Sequence, residues 1–255
     1  MNDRVTAQEP SRGFSRNPRI YAHRGFSARF PENTALAFRE ALDSGADGIE
    51  CDLQRLDDGT YVILHDATLD RTSNATGAAF PLPLSRLKEL DFGRGERILT
   101  LEELLAFLRP NHLLNLELKK ESIRTEHAPE IIQILRTAER NAGNTQVSSF
   151  QHDLLPSYRR AGFDTGMLIG EEHQGVSPLA YVKWIFKIRP TSVNLPVQAF
   201  DRVPLSRLRI LFRVFRILGC KLYFWTVNTR EQLQQLRPWA DAIITDEVVL
   251  IRDFL

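Results

Sequence analysis

Residues 19–53 read RIYAHRGFSARFPENTALAFREALDSGADGIECDL. A short apolar run from Arg19 to Ala22 gives way to a helical apolar period over Thr34 to Ser44, and a second short run follows from Gly48 to Leu53. Strand, helix and strand in so few residues make a βαβ unit, the element from which helix-covered parallel sheets are built. Asn33 or Thr34 suits the N-cap, and Gly45 stands where a C′ glycine would end the helix. His23 stands at the end of the first run. On the second, the two-residue period of a strand turns Glu50 and Asp52 to one face and Cys51 to the other.

Beyond this unit, Asp57-Asp58-Gly59 is a tight-turn signal leading into Tyr61-Val62-Ile63-Leu64, so the second and third strands are joined without a helix. Further strand candidates are Leu113 to Leu118, Gln146 to Phe150, Gly166 to Ile169, Ser192 to Leu195, Leu222 to Val227 and Ala242 to Thr245, with helical patterns between most of them. Nine candidates thus compete for the eight places of a barrel, and Ser192 to Leu195 is the weakest. The expected fold is α/β, a TIM-type (β/α)₈ barrel, regular or distorted, with a small insertion after the third strand. Residues 1–18 read as a mobile tail and 19–255 as one domain. Within it, 66–100 are rich in Gly, Thr, Asn, Asp and Pro and read as an insertion over the barrel mouth.

Bulk composition agrees. The chain has 255 residues, and one such barrel takes roughly 250. With 43% hydrophobic and 25% charged residues, neither disorder nor a fibrous repeat is indicated. A net charge of +1 argues against a dedicated nucleic-acid binder. Two cysteines, Cys51 and Cys220, make no disulfide framework and no CxxC pair, so a reducing compartment is expected. The first residues carry no apolar signal region, and no run approaches the roughly 20 apolar residues that span a bilayer. The expectation is a soluble, cytoplasmic protein.

Four patches carry chemistry: His23-Arg24-Gly25, Glu50-Cys51-Asp52, His65-Asp66 and Glu117-Leu118-Lys119, each at the end of an apolar run. Glu50, Asp52 and Glu117 supply hard oxygen ligands, which suit one divalent cation of the Mg²⁺ or Ca²⁺ kind better than Zn²⁺. Cleaving a phosphodiester near neutral pH requires one group to take a proton and another to give one, and the imidazoles of His23 and His65 fit both tasks. Arg24 and Lys119 can hold phosphoryl oxygens. Trp225 ends another apolar run and can pack on an organic leaving group. Each has an ordinary alternative: salt-bridged carboxylates, hydrogen-bonded histidines, ion pairs or a core aromatic. For His112, His127, His152 and His173 the ordinary structural role is the expectation.

In order, His23-Arg24-Gly25, Pro31-Glu32-Asn33-Thr34, Glu50-Cys51-Asp52, His65-Asp66, Glu117-Leu118-Lys119, Ser149-Phe150 and Trp225-Thr226-Val227-Asn228 resemble the glycerophosphodiester phosphodiesterase family. The match in order and spacing runs from about Ile20 to Asp246. Leu69-Asp70-Arg71-Thr72 through Gly77, and Leu99 to Leu105, are similar to the segment that family inserts after its second histidine. The resemblance implies a (β/α)₈ barrel with its site at the C-terminal strand ends. It implies that His23 and His65 are the acid/base pair and that Glu50, Asp52 and Glu117 are the metal ligands. Arg24 and Lys119 would contact phosphate, with Glu32 as a positioning residue beside them. The implied reaction converts glycerophosphodiesters to glycerol 3-phosphate and an alcohol; attack by the substrate's own 2-hydroxyl and direct attack by water both remain open.

This chain departs from the family in two places. Where the family has a proline two residues after the motif ending in Asp246, it has Val248. Between Glu172 and Glu231 the only acid is Asp201, against ten lysines and arginines, with Arg209, Arg213 and Arg216 in one stripe and Leu208, Leu211, Phe212, Phe215 and Leu218 in an apolar arc. That stretch is either an ordinary outer barrel helix or, across 183–218, a peripheral contact with an anionic membrane. The second option suits a lysophospholipase D acting on lysophospholipids. A catalytically silent barrel that binds phosphoesters is the remaining alternative, and the oligomeric state is left open.

Overall fold

β1 (Arg19–His23), α1 (Ala35–Asp43) and β2 (Gly48–Arg55) form the expected unit, with β1 and β2 parallel and His23 opposite Glu50. The Thr34 hydroxyl accepts the Ala37 N–H as the N-cap. Gly45 ends the helix at φ +89, a backbone conformation a side chain would oppose. The computed structural model describes residues 17–170, 173, 175–198 and 205–255. Residues 1–16 of the expected tail, and Asp201 and Arg202 of the basic stretch, lie outside them.

After β3 (Tyr61–Ile63) the chain runs through β4 (Leu113–Leu118), β5 (Thr145–Ser149), β6 (Asp164–Leu168), β7 (Ser192–Pro196), β8 (Lys221–Trp225) and β9 (Ala242–Thr245). β9 pairs back onto β1, so eight parallel strands close into a ring, a TIM-type (β/α)₈ barrel. The helices are α2 (Leu84–Leu87), α3 (Leu101–Phe107), α4 (Ala128–Thr137), α5 (Leu155–Arg160), α6 (Pro178–Ile188), α7 (Leu205–Ile217), α8 (Arg230–Leu236) and α9 (Val248–Asp253).

The supernumerary strand is β3, whereas the suspect segment at Ser192 is a full member of the ring. The reason lies in what faces inward. Val193 and Leu195 pack outward against helices. Ser192 and Asn194 point into the barrel, where Gln146 donates to the Ser192 hydroxyl, Ser192 to Asn194 Oδ1 and Asn194 back to Gln146 Oε1. A closed polar ring satisfies these buried groups and lowers the apparent hydrophobicity of a genuine strand.

β2 explains where the site is built. Its first residues pair with β1, but it outruns β1, and its last three pair antiparallel with β3 on the same side. An otherwise open edge is thereby covered. The return strand brings the chain back down: Leu64 N–H donates to the Asp52 carbonyl, and Gln54 Nε2 holds the His65 carbonyl at 3.1 Å. His65 therefore arrives beside the ring although its strand lies outside it. Beneath residues 64–98 a small core forms around Leu56, Val62, Leu69, Leu87, Phe92 and Ile98.

Candidate active site

At the C-terminal ends of the ring strands an open cavity has one charged half and one apolar half. His23, Arg24, Glu50, His65, Glu117 and Lys119 line the first; Phe150, Leu168, Trp225 and Ile244 line the second. The structure thus brings together the four strand-end patches and Trp225. Cys51 and Leu118 turn away into the strand–helix core, as the two-residue period requires.

Glu50, Asp52 and Glu117 each offer an oxygen within 4.8 Å of the others, and all three are buried. Asp52 stands opposite Glu117 in the β2–β4 register. Lys119 Nζ lies 2.8 Å from Glu117 and 3.5 Å from Asp52, while Arg24 Nε lies 3.4 Å from Asp52. Asn33 Nδ2 donates to Asp52 at 2.9 Å, and the Arg24 backbone N–H donates to Glu50 at 3.1 Å.

Burial and the neighbouring Asp52 push Glu50 up to about 8. Glu117 is also raised by burial, against the pull of Lys119. Burial acts the same way on Asp52, yet Lys119 and Arg24 outweigh it and hold that carboxyl well below the carboxylate range. Two cations thus do not satisfy three buried acids. The donor set, all oxygen and all within one ion's reach, fits a hard divalent cation that would supply the missing charge. A further oxygen adds to the fit: Asn115, opposite Glu50 in the β2–β4 register and 1% exposed, has its Oδ1 without a hydrogen-bond partner.

Each cavity histidine is held from behind by a carboxylate. His23 Nδ1 lies 2.7 Å from Asp246, and His65 Nδ1 lies 2.5 Å from Asp66. An ionised carboxylate only accepts, so Nδ1 carries the proton and Nε2 is left to exchange one with the cavity. His23 Nε2 faces Glu50 at 4.0 Å. Burial opposes charging His23, but Asp246 and Glu50 outweigh it and raise its pKa above the usual value. The same contacts lower Asp246 to about 2, against its own burial.

Asp246, Asp66 and Arg71, like Asn33, Asn115 and Phe150 of the same site, are residues to which sequence reasoning gave no role there. Asp246 also accepts from Ser27 Oγ and Asn228 Nδ2. Arg71, from the loop after β3, donates through Nε to Asp66 at 2.7 Å and through both Nη groups to Glu32. Glu32 also accepts from Arg24 Nη1 at 2.9 Å, so its oxygens are occupied by two guanidinium groups. One chain of charges therefore links His65, Asp66, Arg71, Glu32 and Arg24 to Asp52. Adjacency to His65 was the available signal for Asp66, and the end of the last strand motif was the signal for Asp246. Arg71 lies in the Leu69-Asp70-Arg71-Thr72 segment that resembles the family's insertion, but nothing local to it gives its role, because its partner Glu32 is 39 positions away.

The apolar half is an aromatic wall. Phe150 meets Trp225 edge-on at 5.6 Å and stacks toward His173 at 6.5 Å, and His173 stacks on His152 at 4.8 Å. His152 Nε2 donates to the Leu168 carbonyl, so these two histidines buttress the wall. Of the four histidines expected to have structural roles, His152 and His173 lie in this aromatic stack.

Three buried carboxylates within one ion's reach, two basic side chains and two carboxylate-held imidazoles in one barrel mouth are the groups that hydrolysis of a phosphoric ester calls on. The chain belongs to the glycerophosphoryl diester phosphodiesterase family of phosphoric diester hydrolases, whose family model matches residues 23–250. A glycerophosphodiester phosphodiesterase of Caldanaerobacter subterraneus subsp. tengcongensis is 33% identical over 240 residues, covering 89% of this chain and 93% of that protein. The crystal structure of the Thermotoga maritima glycerophosphodiester phosphodiesterase superposes with a TM-score of 0.81 at 33% identity, covering 94% of this chain and 99% of that one. An Oleispira antarctica phosphodiesterase, solved in complex with the product sn-glycerol-3-phosphate, shares the fold at a TM-score of 0.79 and 24% identity, covering 93% and 96% of the two chains. Family and fold are those the sequence motifs implied.

Proposed function

We propose that this chain hydrolyses glycerophosphodiesters to glycerol 3-phosphate and an alcohol, in a reaction that depends on one divalent cation, Mg²⁺ or Ca²⁺. The carrying observation is the meeting of three buried carboxylates and two carboxylate-held imidazoles on one cavity. The names of the Caldanaerobacter and Thermotoga relatives, and the product bound to the Oleispira protein, support the substrate class.

Glu50, Asp52 and Glu117 would hold the cation, with the Asn115 carbonyl oxygen beside them. When bound, such an ion supplies Lewis-acid polarisation of the phosphoryl group and offsets the charge of its ligands. Arg24 and Lys119 hold the non-bridging phosphoryl oxygens, their charges kept in place by Asp52, Glu32 and Glu117. Of His23 and His65, one takes the proton from the attacking hydroxyl through Nε2 and the other gives a proton to the departing alkoxide. Asp246 and Asp66 fix the ring orientations, and Arg71 and Glu32 keep Asp66 and Arg24 in place. Phe150 and Trp225 face the carbon skeleton of the substrate. In net terms the phosphorus–oxygen bond to the alcohol breaks, a bond from phosphorus to the attacking oxygen forms, and water supplies both protons of the products.

The test is release of glycerol 3-phosphate from glycerophosphocholine and glycerophosphoethanolamine by the wild type, His23→Ala and His65→Ala. Each histidine variant should lose about 10²- to 10⁴-fold in turnover, the usual share of general acid–base catalysis. Near-normal turnover in either would remove that histidine from the proton-transfer pair. Preference for lysophosphatidylcholine over both soluble diesters would favour a lysophospholipase D.

A further inference from the structure

Among the described residues five large hydrophobic side chains stand exposed: Leu179, Phe186, Ile210 and Ile217 at 62, 64, 62 and 84%, and Phe254 at 40%. Phe254 lies under the Arg230 guanidinium at 4.6 Å. The other four sit on α6 and α7, neighbouring helices whose Tyr181 and Phe215 rings meet at 6.5 Å.

The inner faces of both helices are already filled by Ile185, Ile188, Phe212 and Phe215, so the barrel does not need the exposed four. Leu179, Lys183 and Phe186 recur along one side of α6, as Ile210, Arg213 and Ile217 do along α7. The exposed side chains interleaved with them are all cations: Lys183 and Lys187 on α6, Arg209 and Arg213 on α7. Arg216, which the helical wheel puts in the same stripe, turns inward instead to Asp241 at 2.8 Å. Other outer helices differ: α4 exposes Glu130, Gln133 and Arg136, and α8 exposes Glu231, Gln234 and Gln235.

We propose that the outer faces of α6 and α7 form a docking surface for an anionic lipid bilayer. A second copy of the chain fits poorly, because a two-fold contact through this face would set cations against cations. A nucleic acid would engage the cations but leave Leu179, Ile210 and Ile217 idle. A bilayer interface takes both, aliphatic groups among the acyl chains and ammonium or guanidinium groups at anionic heads. The contact is peripheral, since no helix among the described residues is long and apolar enough to cross a membrane.

Co-sedimentation of the full chain with vesicles tests this without substrate, so it stands or falls apart from the hydrolysis reading. Binding to phosphatidylglycerol vesicles at low salt, lost at high salt and absent on phosphatidylcholine, is the expected result. Lys183→Ala should lower the partition coefficient about five-fold, and Phe186→Ser or Ile217→Ser should lower it too, each with an unchanged melting temperature. Equal partition onto both vesicle types, no binding to either, or anionic binding undiminished in these variants would overturn the proposal. An oligomer in sedimentation velocity that the same substitutions dissolve would assign the face to a second copy instead.

Discussion

His23 at the end of β1 and His65 in the loop after β3 present the same arrangement, each with Nδ1 on a carboxylate and each lining the cavity. Asp246 holds the first ring, and Asp246→Asn should cost about 10- to 100-fold in kcat, as loss of an orienting carboxylate does. It should also move the pH limb set by His23 to lower values, because the carboxylate that raises its pKa is gone. An unmoved profile would make Asp246 structural only. Arg71→Ala should lower kcat about ten-fold with little change in KM, since Arg71 acts through Asp66 and Glu32. A rise in KM alone would point instead to direct contact with substrate. At this scale the sequence exposed the groups that face the cavity, because a strand end with an ionisable residue is visible in one dimension. It did not expose Arg71, which reaches Glu32 across 39 positions of chain.

The element that organises the site is β2, whose eight residues serve β1, β4 and β3 in turn. Its period made Glu50 and Asp52 share a face, and that much was legible. The strand count was not: β3 reads as apolar as any ring strand, while β7 reads weakly because Ser192 and Asn194 face a polar interior. The turn after β1 is equally specific. Gly25 has φ +84, and a Cβ there would sit 2.7 Å from the Ala37 backbone. Gly25→Ala should therefore destabilise the protein by about 2–4 kcal/mol and, by shifting Arg24, impair catalysis. Denaturant unfolding with an activity assay measures both, and wild-type stability in the variant would show that the turn can relax. Val248, where the family has proline, is the first residue of α9, a position that proline favours but does not require.

At the scale of the whole molecule, the barrel brings three acids from two neighbouring strands to one end, and the cost of doing so without a cation should depend on pH. Glu50, Glu117 and His23 all have raised folded-state pKa values. Groups raised on folding stabilise most below their unfolded pKa and lose that contribution as pH climbs through the folded value. Cation-free protein should thus melt at lower temperature as pH rises from about 4.5 toward 8, and Mg²⁺ or Ca²⁺ should raise the melting temperature more at pH 8 than at pH 5. A cation effect independent of pH would separate binding from these carboxylates. The alternation of strands and helices, and the order of the motifs, made the barrel and the family legible along the chain. Closure of the ring, and the inward turn of Arg216 from its stripe, depend on long-range contacts that no local period encodes.

The central claim is that Glu50, Asp52 and Glu117 hold the cation on which diester hydrolysis depends. The most direct measurement follows glycerol 3-phosphate release from glycerophosphocholine after exhaustive chelation and then re-addition of Mg²⁺ or Ca²⁺, in the wild type and in Glu117→Gln. The expected result is loss of activity on chelation, recovery in the wild type, and little recovery in the variant at the same cation concentration. Full activity after chelation, or equal recovery in Glu117→Gln, would contradict it.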